Sequence, residues 1–372
     1  MWLIAAVAGA LTVLTGLLSG ADAVAVTERL LPVLAFLVAA TVLAELADRA
    51  GVFDVAAGRA ARLGRGRTPV LFALVILLAT ATTVVLSLDT TAVLVTPVVL
   101  ALARRLDLDP LPFAFAAVWL ANTASLLLPV SNLTNLLAVD RLKLSPAHYA
   151  GRTAAAAAVA VAVTVLALAL AHRRSLRGRY LLPGPEPRRD RVLLWTSALA
   201  CLALVPAVLT GLPVAVVFGV AAAVVVVATA LRSPRVLRPS LVPWRLVLLV
   251  EGLFLVVSAA GPHGLDALLR GLAGPGDTPG RVVAAAAVGS NLVNNLPAYL
   301  ALERVVPPAH LLDVLVGVDL GPLVLPWASL ATLLWHERCK AAGVVVPWTT
   351  YAVRGVLLVP ALLLLSSLAL HA

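Results

Sequence analysis

Charged residues are scarce in this chain. Asp, Glu, Lys and Arg together make up 12% of its 372 residues, against ~25% in soluble domains. Hydrophobic residues reach 62%, and the mean hydropathy is +1.04. The apolar runs are continuous and lack the period-two alternation of a transmembrane β-barrel. The composition therefore excludes a soluble protein and a barrel, and it predicts an all-α polytopic membrane protein.

Signatures of catalysis and metal binding are also missing. The sequence has no Walker A, HExxH or GxSxG motif, and its two cysteines, Cys201 and Cys339, form no CxxC. The six histidines are scattered. We therefore expect no enzyme activity, no metal and no cofactor, and a transporter would draw its energy from an ion gradient or a partner protein. A membrane-embedded enzyme or a scaffold is an alternative, but no nucleophile and base pair supports it.

Nine membrane crossings follow from the rule that a helical span needs ~20 apolar residues. Seven are continuous and two contain a polar break. They lie near residues 1 to 18, 30 to 47, 112 to 138 (broken), 152 to 171, 192 to 209, 213 to 231, 244 to 260, 310 to 335 (broken) and 351 to 370. Two further apolar regions, 69 to 104 and 281 to 306, carry polar residues at their centres and are interpreted as hairpins that enter the membrane and return.

The positive charges predict the orientation. Arginines cluster in three loops, at residues 49 to 67, 173 to 191 and 232 to 245. The loops on the opposite side carry acidic residues, namely Asp22, Glu28, Asp266 and Asp277. Arginine-rich loops face the cytoplasm by the positive-inside rule, so we expect an internal N-terminus and an external C-terminus. The net charge of +10 is then a topology signal and not a sign of nucleic-acid binding.

Two stretches repeat one pattern, a polar break with a central proline. They read NTASLLLPVSNLTNLL at residues 122 to 137 and DLGPLVLPWASLATLL at residues 319 to 334. Their alignment places Pro129 on Pro326. Backbone freed from a helix within lipid must face protein or a water-filled cavity, so each break marks a cavity near the bilayer midplane. Recurrence in both halves predicts an inverted-repeat transporter.

The same order of elements recurs on both sides of a basic, proline-containing linker. We expect a first inverted repeat over residues 1–171, a cytoplasmic linker over 172–191 and a second repeat over 192–372. Each repeat contains an amphipathic stretch, at Val52 to Leu63 and at Gly264 to Leu272, followed by a hairpin and a broken helix.

Polar residues at the breaks and hairpin tips form the candidate site. Those expected to bind substrate are Thr90, Asn122, Thr123, Ser125, Ser131, Asn132, Asn291, Asn294, Asn295, Ser329 and Thr332. Three carboxylates are candidates for proton coupling, because an ionisable group inside a span marks a proton or ion pathway by default. They are Asp89, Glu251 and Asp319.

Several of these residues also have a structural interpretation. Asp89 would cap the returning half of its hairpin by accepting backbone N–H groups, and Asn294 and Asn295 would cap the second hairpin. Glu251 would pair with another helix or extend towards Arg245. Glu45 lies near the cytoplasmic end of its span and is interpreted as interfacial.

The second break identifies a resemblance. DLGPLVLPWASLATLLW, Asp319 to Trp335, resembles the signature of the bacterial arsenite efflux permeases of the ion transporter superfamily. The first break is similar to their matching segment, and Asn294, Asn295 and Pro297 match their second hairpin. The resemblance covers about residues 30 to 372. It implies a bacterial plasma-membrane carrier that exchanges arsenite or antimonite for protons by an elevator motion, as a monomer or homodimer, with a soluble arsenite-stimulated ATPase as a candidate partner.

Two positions of the first hairpin depart from that pattern. The family's first hairpin usually carries Asn-Asp-Gly, whereas this chain has Leu88, Asp89 and Thr90. We expect trivalent arsenite to be expelled as the neutral trihydroxide. Such a solute needs hydroxyl and amide partners, and both breaks supply them with no Arg or Lys inside. The alternative is a sodium/proton antiporter or a sodium-coupled carboxylate or sulfate carrier of the same architecture, because half-helix ends can also hold such ions.

Overall fold

The computed structural model describes residues 2–182, 189–274 and 278–372, and its regular structure there is helical apart from one isolated bridge between Arg67 and Arg179. A helix pairs its own backbone N–H and C=O groups, and lipid offers these groups no hydrogen-bond partner. The predicted all-α class is confirmed. Arg188 and Asp277, which the charge pattern placed in loops, lie outside the described residues.

The first half contains helices α1 to α9. Their bounds are α1 Trp2–Leu14, α2 Gly20–Ala50, α3 Val52–Leu63, α4 Thr68–Val85, α5 Leu88–Thr90, α6 Thr96–Arg105, α7 Leu111–Thr123, α8 Leu133–Leu142 and α9 Pro146–Ala171. A π-helical turn, Thr91–Val95, joins α5 to α6.

The second half contains helices α10 to α18. Their bounds are α10 Arg191–Leu209, α11 Val214–Arg232, α12 Trp244–Ala260, α13 Asp266–Ala273, α14 Pro279–Val293, α15 Asn295–Leu302, α16 Leu311–Leu320, α17 Leu330–Ala341 and α18 Trp348–Leu370.

Seven helices in the described ranges are long and apolar enough to cross a bilayer, judged by length and composition. They are Gly20–Ala50, Thr68–Val85, Pro146–Ala171, Arg191–Leu209, Val214–Arg232, Pro239–Ala273 and Trp348–Leu370. The span predicted at 1 to 18 contains a helix of 13 residues, α1. The number of nine crossings stays a prediction.

Acidic residues expected in external loops lie in helices instead. Asp22 and Glu28 belong to α2, which begins at Gly20. The Ser19 side chain accepts a hydrogen bond from the Asp22 N–H at 3.1 Å, so a capping serine starts the helix earlier than hydropathy indicated. Asp266 likewise lies in the first turn of α13. An acid in a first turn is favoured by the helix dipole, which explains the positions of Asp22 and Asp266, whereas Glu28 lies further along α2.

Both predicted hairpins return to the side they start from. Residues 175–180 contact both ends of the first one, because the Thr68 N–H donates to the Gly178 carbonyl at 3.3 Å and Ser175 Oγ donates to Asp109 at 2.7 Å. Helix α13 does the same for the second. Arg281 Nη2 donates to the Gly271 carbonyl at 2.7 Å, and Arg304 pairs with Asp266 at 3.2 Å.

The two broken helices match element by element. Between α7 and α8 lies a short 3₁₀ turn, Pro129–Ser131, and between α16 and α17 lies another, Pro326–Ala328. The alignment of the two prolines also superposes the ends of α7 and α16 and the starts of α8 and α17. In both breaks the residue before the new helix, Asn132 or Ser329, is extended. The repeated sequence pattern is therefore a repeated backbone pattern.

The helices pack into two groups. Helices α1, α2, α10, α11 and α12 form one, while the hairpins, the broken helices, α9 and α18 form the other. Small residues bring α1 and α12 close, since a Cβ on Gly252 would overlap the Ala5 carbonyl and one on Gly9 would lie 2.9 Å from Gly252 Cα. The candidate site lies where the two groups meet.

Candidate functional site

Two adjoining cavities, of about 400 Å³ and about 330 Å³, separate the two helix groups. Both are lined by Asp89 and Asn132. The wall from α1, α2 and α12 is mainly apolar. The facing wall carries polar residues from both hairpin tips and both breaks, namely Ser87, Asp89, Thr90, Asn132, Asn294, Asn295 and Ser329. Elements from the two halves thus form one shared site.

The Asp89 carboxylate has no hydrogen-bond or ion-pair partner in the described part of the chain, and it is half-buried. The capping function considered for it belongs to Ser87, whose side chain accepts the Thr90 N–H at 3.1 Å. Ser87 thereby begins the returning arm of the hairpin, and the following carboxylate is left facing the cavities. An uncompensated carboxylate at this depth is available for a solute or a proton.

Asp319 links the two breaks. It is 1% exposed, and its Oδ1 accepts hydrogen bonds from Asn132 Nδ2 at 2.9 Å and from Thr134 Oγ1 at 2.8 Å. Its Oδ2 is buried and has no hydrogen-bond partner within the described ranges. Because Asn132 also lines both cavities, the charge of Asp319 lies one hydrogen bond away from the site.

Side chains satisfy the freed carbonyls of the first break. Asn135 Nδ2 donates to the carbonyls of Ser125 at 2.7 Å and Leu128 at 3.1 Å. Tyr149 and Thr153 of α9 donate to the carbonyls at positions 126 and 127, at 3.0 and 3.4 Å. All four carbonyls are paired, as backbone at membrane depth requires.

The second break is held by the second hairpin. Asn291 Nδ2 donates to the Gly321 carbonyl at 2.8 Å, and its Oδ1 accepts the Leu325 N–H at 3.1 Å. Trp327 Nε1 donates to the Asn291 carbonyl, and Asn294 Nδ2 donates to the Trp327 carbonyl, both at 2.8 Å. Asn294 adopts a φ of 105°, a region that favours glycine. These contacts make hairpin and break one unit.

Six of the predicted substrate-binding residues do not line the cavities. They are Asn122, Thr123, Ser125, Ser131, Asn291 and Thr332. Their side chains bond within the protein. Thr123 and Ser125 donate to carbonyls of α7, Ser131 Oγ donates to the Val84 carbonyl at 2.9 Å, and Thr332 lies 3.3 Å from the Tyr351 hydroxyl. They support the breaks.

Glu251 lies outside both cavities. Thr27 of α2 donates to its Oε1 at 2.6 Å, while Oε2 is buried and no described residue bonds to it. A partner on another helix, one of the structural interpretations, is therefore present. Glu45 pairs with Arg49 at 2.9 Å and is partly exposed, as an interfacial residue should be.

Sequence reasoning missed Arg245, which lines the larger cavity. Its guanidinium carbon lies 5.2 Å from the Trp244 ring centroid and 5.8 Å from that of Trp2. A signal for it exists in the sequence, because Arg245 stands in the first turn of a span. What the sequence does not show is that Trp2, from the far end of the chain, lies beside it.

Comparison with known proteins identifies the family of this chain. The model of the family described as "Citrate transporter" matches residues 1–332. The chain belongs to the citrate transporter family. Within the described residues its helices are those of a multi-pass protein, and its relatives place it in the bacterial inner membrane.

Among this family member's relatives are bacterial arsenical pump membrane proteins. The one from Escherichia coli K12 is 28% identical over 378 residues, covering 94% of this chain and 88% of that protein. The one from Yersinia enterocolitica is 28% identical over 387 residues, covering 95% and 89%. The resemblance read from the second break is confirmed.

A solved structure shares the fold. The Alcanivorax borkumensis YdaH transporter, described as having an unusual topology, aligns with a TM-score of 0.58 at 15% identity over 94% of this chain and 86% of that one. At this identity the likeness concerns the fold alone. It agrees with the all-helical class of this chain.

Proposed function

We propose that this chain is a secondary active transporter that exports arsenite or antimonite in exchange for protons. The observation that supports it best is the convergence of both hairpin tips and both breaks on one cavity, where Asp89 has no partner among the described residues. The names of the relatives, arsenical pump membrane proteins, supply the solute class.

The cavity offers partners that suit a neutral trihydroxide. Thr90 and Ser329 contribute hydroxyls, and Asn132, Asn294 and Asn295 contribute amides. Hydroxyls and amides both donate and accept, so they match a solute whose three hydroxyl groups do the same. Asp89 adds one acceptor of higher strength, because hydrogen bonds to an ionised group are roughly twice as strong as neutral ones.

Proton coupling in this proposal uses Asp89 and Asp319. Asp89 alternates between accepting from the solute hydroxyls and carrying a proton on the return step. Asp319 is connected to the cavity through Asn132. The Asn132 amide donates a hydrogen bond to Asp319, and Asn132 also lines the cavity. Glu251, the third predicted carboxylate, is bonded to Thr27 outside the cavities and receives a structural role in the proposal.

Alternating access would follow an elevator motion. The polar site belongs to the helix group that contains the hairpins, and the opposite wall is mainly apolar, with Thr41, Glu45 and Arg245 as its polar residues at the larger cavity. The hairpin-containing group would be the moving unit, and the whole chain would consist of two inverted repeats, 1–171 and 192–372, joined by the linker at 172–191. A monomer or homodimer and a soluble arsenite-stimulated ATPase as partner complete the proposal.

The test is expression in a bacterium that lacks its own arsenite pump. We expect growth on arsenite to be restored and intracellular arsenic to fall. In everted vesicles, arsenite accumulation should require an imposed proton gradient and should collapse with a protonophore. Normal protein levels in the membrane without any arsenic movement would reject the proposal.

A second candidate is a carrier of carboxylate anions. The family model itself is described as a citrate transporter, and Arg245 lines the larger cavity. In this case vesicles should take up citrate, with or without sodium dependence, and arsenite should not compete. Measuring both solutes in the same vesicles separates the two candidates.

A further inference from the structure

A third cavity, of about 260 Å³, lies between α3, α4 and α10 and shares no lining residue with the central site. Its lining is mainly aliphatic and aromatic, including Leu78, Val85 and Leu202. Arg59 and Trp195 also line it. The cavity is thus an apolar groove that contains one cationic group.

The Arg59 guanidinium carbon lies 5.6 Å from the centroid of the Trp195 ring. No carboxylate of the described chain pairs with it. Stacking on an indole occupies the face of a guanidinium and leaves the N–H donors at its edge free. Planar donors of this kind bind phosphate in a bidentate manner. The groove therefore combines an oriented phosphate partner with an apolar surface.

Its position suits the cytoplasmic leaflet. Arg59 belongs to the basic amphipathic helix α3, in a loop region that the charge pattern places inside. From Trp195 to Cys201 the lining descends along α10 by roughly 9 Å, given the helical rise of 1.5 Å per residue. Basic pockets between helices on this side are typical of anionic lipid headgroup sites.

We propose that this groove binds one anionic phospholipid, with the phosphate on Arg59 and an acyl chain along Leu78, Val85 and Leu202. Such a lipid would lie between the arm α4 of the first hairpin and α10, which belongs to the other helix group. The site is independent of the solute, and its occupant would fill the seam between the two groups.

Native mass spectrometry of the purified protein in mild detergent tests this directly. The protein is titrated with phosphatidylglycerol or with phosphatidylcholine of the same acyl chains. We expect one phosphatidylglycerol to be retained more strongly than phosphatidylcholine. Arg59→Gln should weaken that binding about fivefold, since one basic residue near an anionic membrane surface is worth about 1 kcal/mol.

The matched control is Arg235→Gln, which removes the same charge from an exposed arginine of another cytoplasmic loop that does not line the groove. Ala198→Trp, which fills the groove, should reduce retention of both lipids. Glycerol phosphate without acyl chains should not compete. Equal retention of the two lipids, equal effects of Arg59→Gln and Arg235→Gln, or competition by glycerol phosphate would each overturn the proposal.

Discussion

Asp89 and Asp319 are both acidic residues deep in apolar segments, yet their surroundings differ. Asp319 is held by Asn132 and Thr134, whereas Asp89 faces the cavities and has no partner in the part of the chain that the structure describes. The sequence predicts both as functional from their depth alone. It cannot distinguish them, because the donors to Asp319 come from the other half of the chain and Asp89 owes its free carboxylate to capping by Ser87.

Asp89→Asn should abolish arsenite resistance. The change removes the proposed charge-assisted hydrogen bond from the solute to Asp89, which is worth about 1.5–3 kcal/mol and corresponds to a loss of roughly 10- to 100-fold in transport efficiency. It also removes the group that would carry the proton. Asp89→Glu should retain part of the activity. The measurement is initial arsenite uptake into everted vesicles at matched protein levels.

Glu28→Gln is the control for this change, because Glu28 is exposed and lines neither cavity. It should transport like the unchanged protein. Full efflux by Asp89→Asn would remove Asp89 from the mechanism.

Glu251→Gln should leave arsenite efflux close to that of the unchanged protein. The glutamine carbonyl can still accept the hydrogen bond that Thr27 donates to Glu251, and neither residue lines the cavities. The same vesicle assay, run with and without a proton gradient, checks this. A complete loss of gradient-driven uptake at normal expression would return Glu251 to the coupling pathway.

His172, just after α9, should make stability depend on pH. Burial, with Arg354 as a second cause, lowers its pKa from 6.5 to about 4, and its Nε2 lies 3.0 Å from Arg354 Nη1. The unfolded chain then takes up a proton at higher pH than the folded one. Stability should fall as the pH drops below 6.5, and the loss should level off below about 4.

The measurement is the thermal unfolding midpoint in detergent at several pH values between 7.5 and 4. His172→Gln keeps a hydrogen-bond acceptor but does not titrate, so its midpoint should depend less on pH. Identical pH dependence in both proteins would show that His172 does not control this response.

At the scale of elements, the breaks and hairpins were largely predictable. Prolines, polar residues and interrupted apolar runs mark them in the sequence. The alignment of Pro129 on Pro326 also superposes the ends of the helices on either side of the two breaks. The partners of the freed carbonyls were not predictable. Tyr149 and Thr153 lie on α9, and nothing in the first break indicates which side chains of a later helix will reach it.

Asn135→Leu should destabilise the protein strongly. It leaves the carbonyls of Ser125 and Leu128 without their side-chain donor, and each unsatisfied buried polar group costs about 1–3 kcal/mol. Thermal unfolding in detergent measures the effect. The matched control is Thr332→Val at the aligned position of the second break, where the hydroxyl has only a 3.3 Å contact with Tyr351. Equal destabilisation by both changes would contradict the assigned role of Asn135.

At the scale of the whole molecule, an ion pair joins the two helix groups. Arg29 of α2 donates to both carboxylate oxygens of Glu303, at 2.8 and 3.0 Å, and Glu303 is buried just after α15. The positive-inside pattern predicted orientation but not this link, because the two residues lie 274 positions apart in the sequence. An elevator motion would either break the Arg29–Glu303 ion pair or move both residues together.

Spin labels on Ser240 and Ala341 should report that motion. Both are exposed, one in the α11–α12 loop and the other at the end of α17, on opposite helix groups. We expect the distance distribution to shift when arsenite and a proton gradient are applied in liposomes. A pair within one group, Thr210 and Ser240, should not change. Fixed distances for both pairs would exclude a rigid-body elevator.

The paired carbonyls of the first break have a consequence for idle carriers. Asn135, Tyr149 and Thr153 already donate to these carbonyls, so the carbonyls do not need water molecules as partners. A break that needs no water has less tendency to hold the continuous file of water that relays protons. We therefore expect a cell to express this protein in the absence of a toxic solute without dissipating its membrane potential.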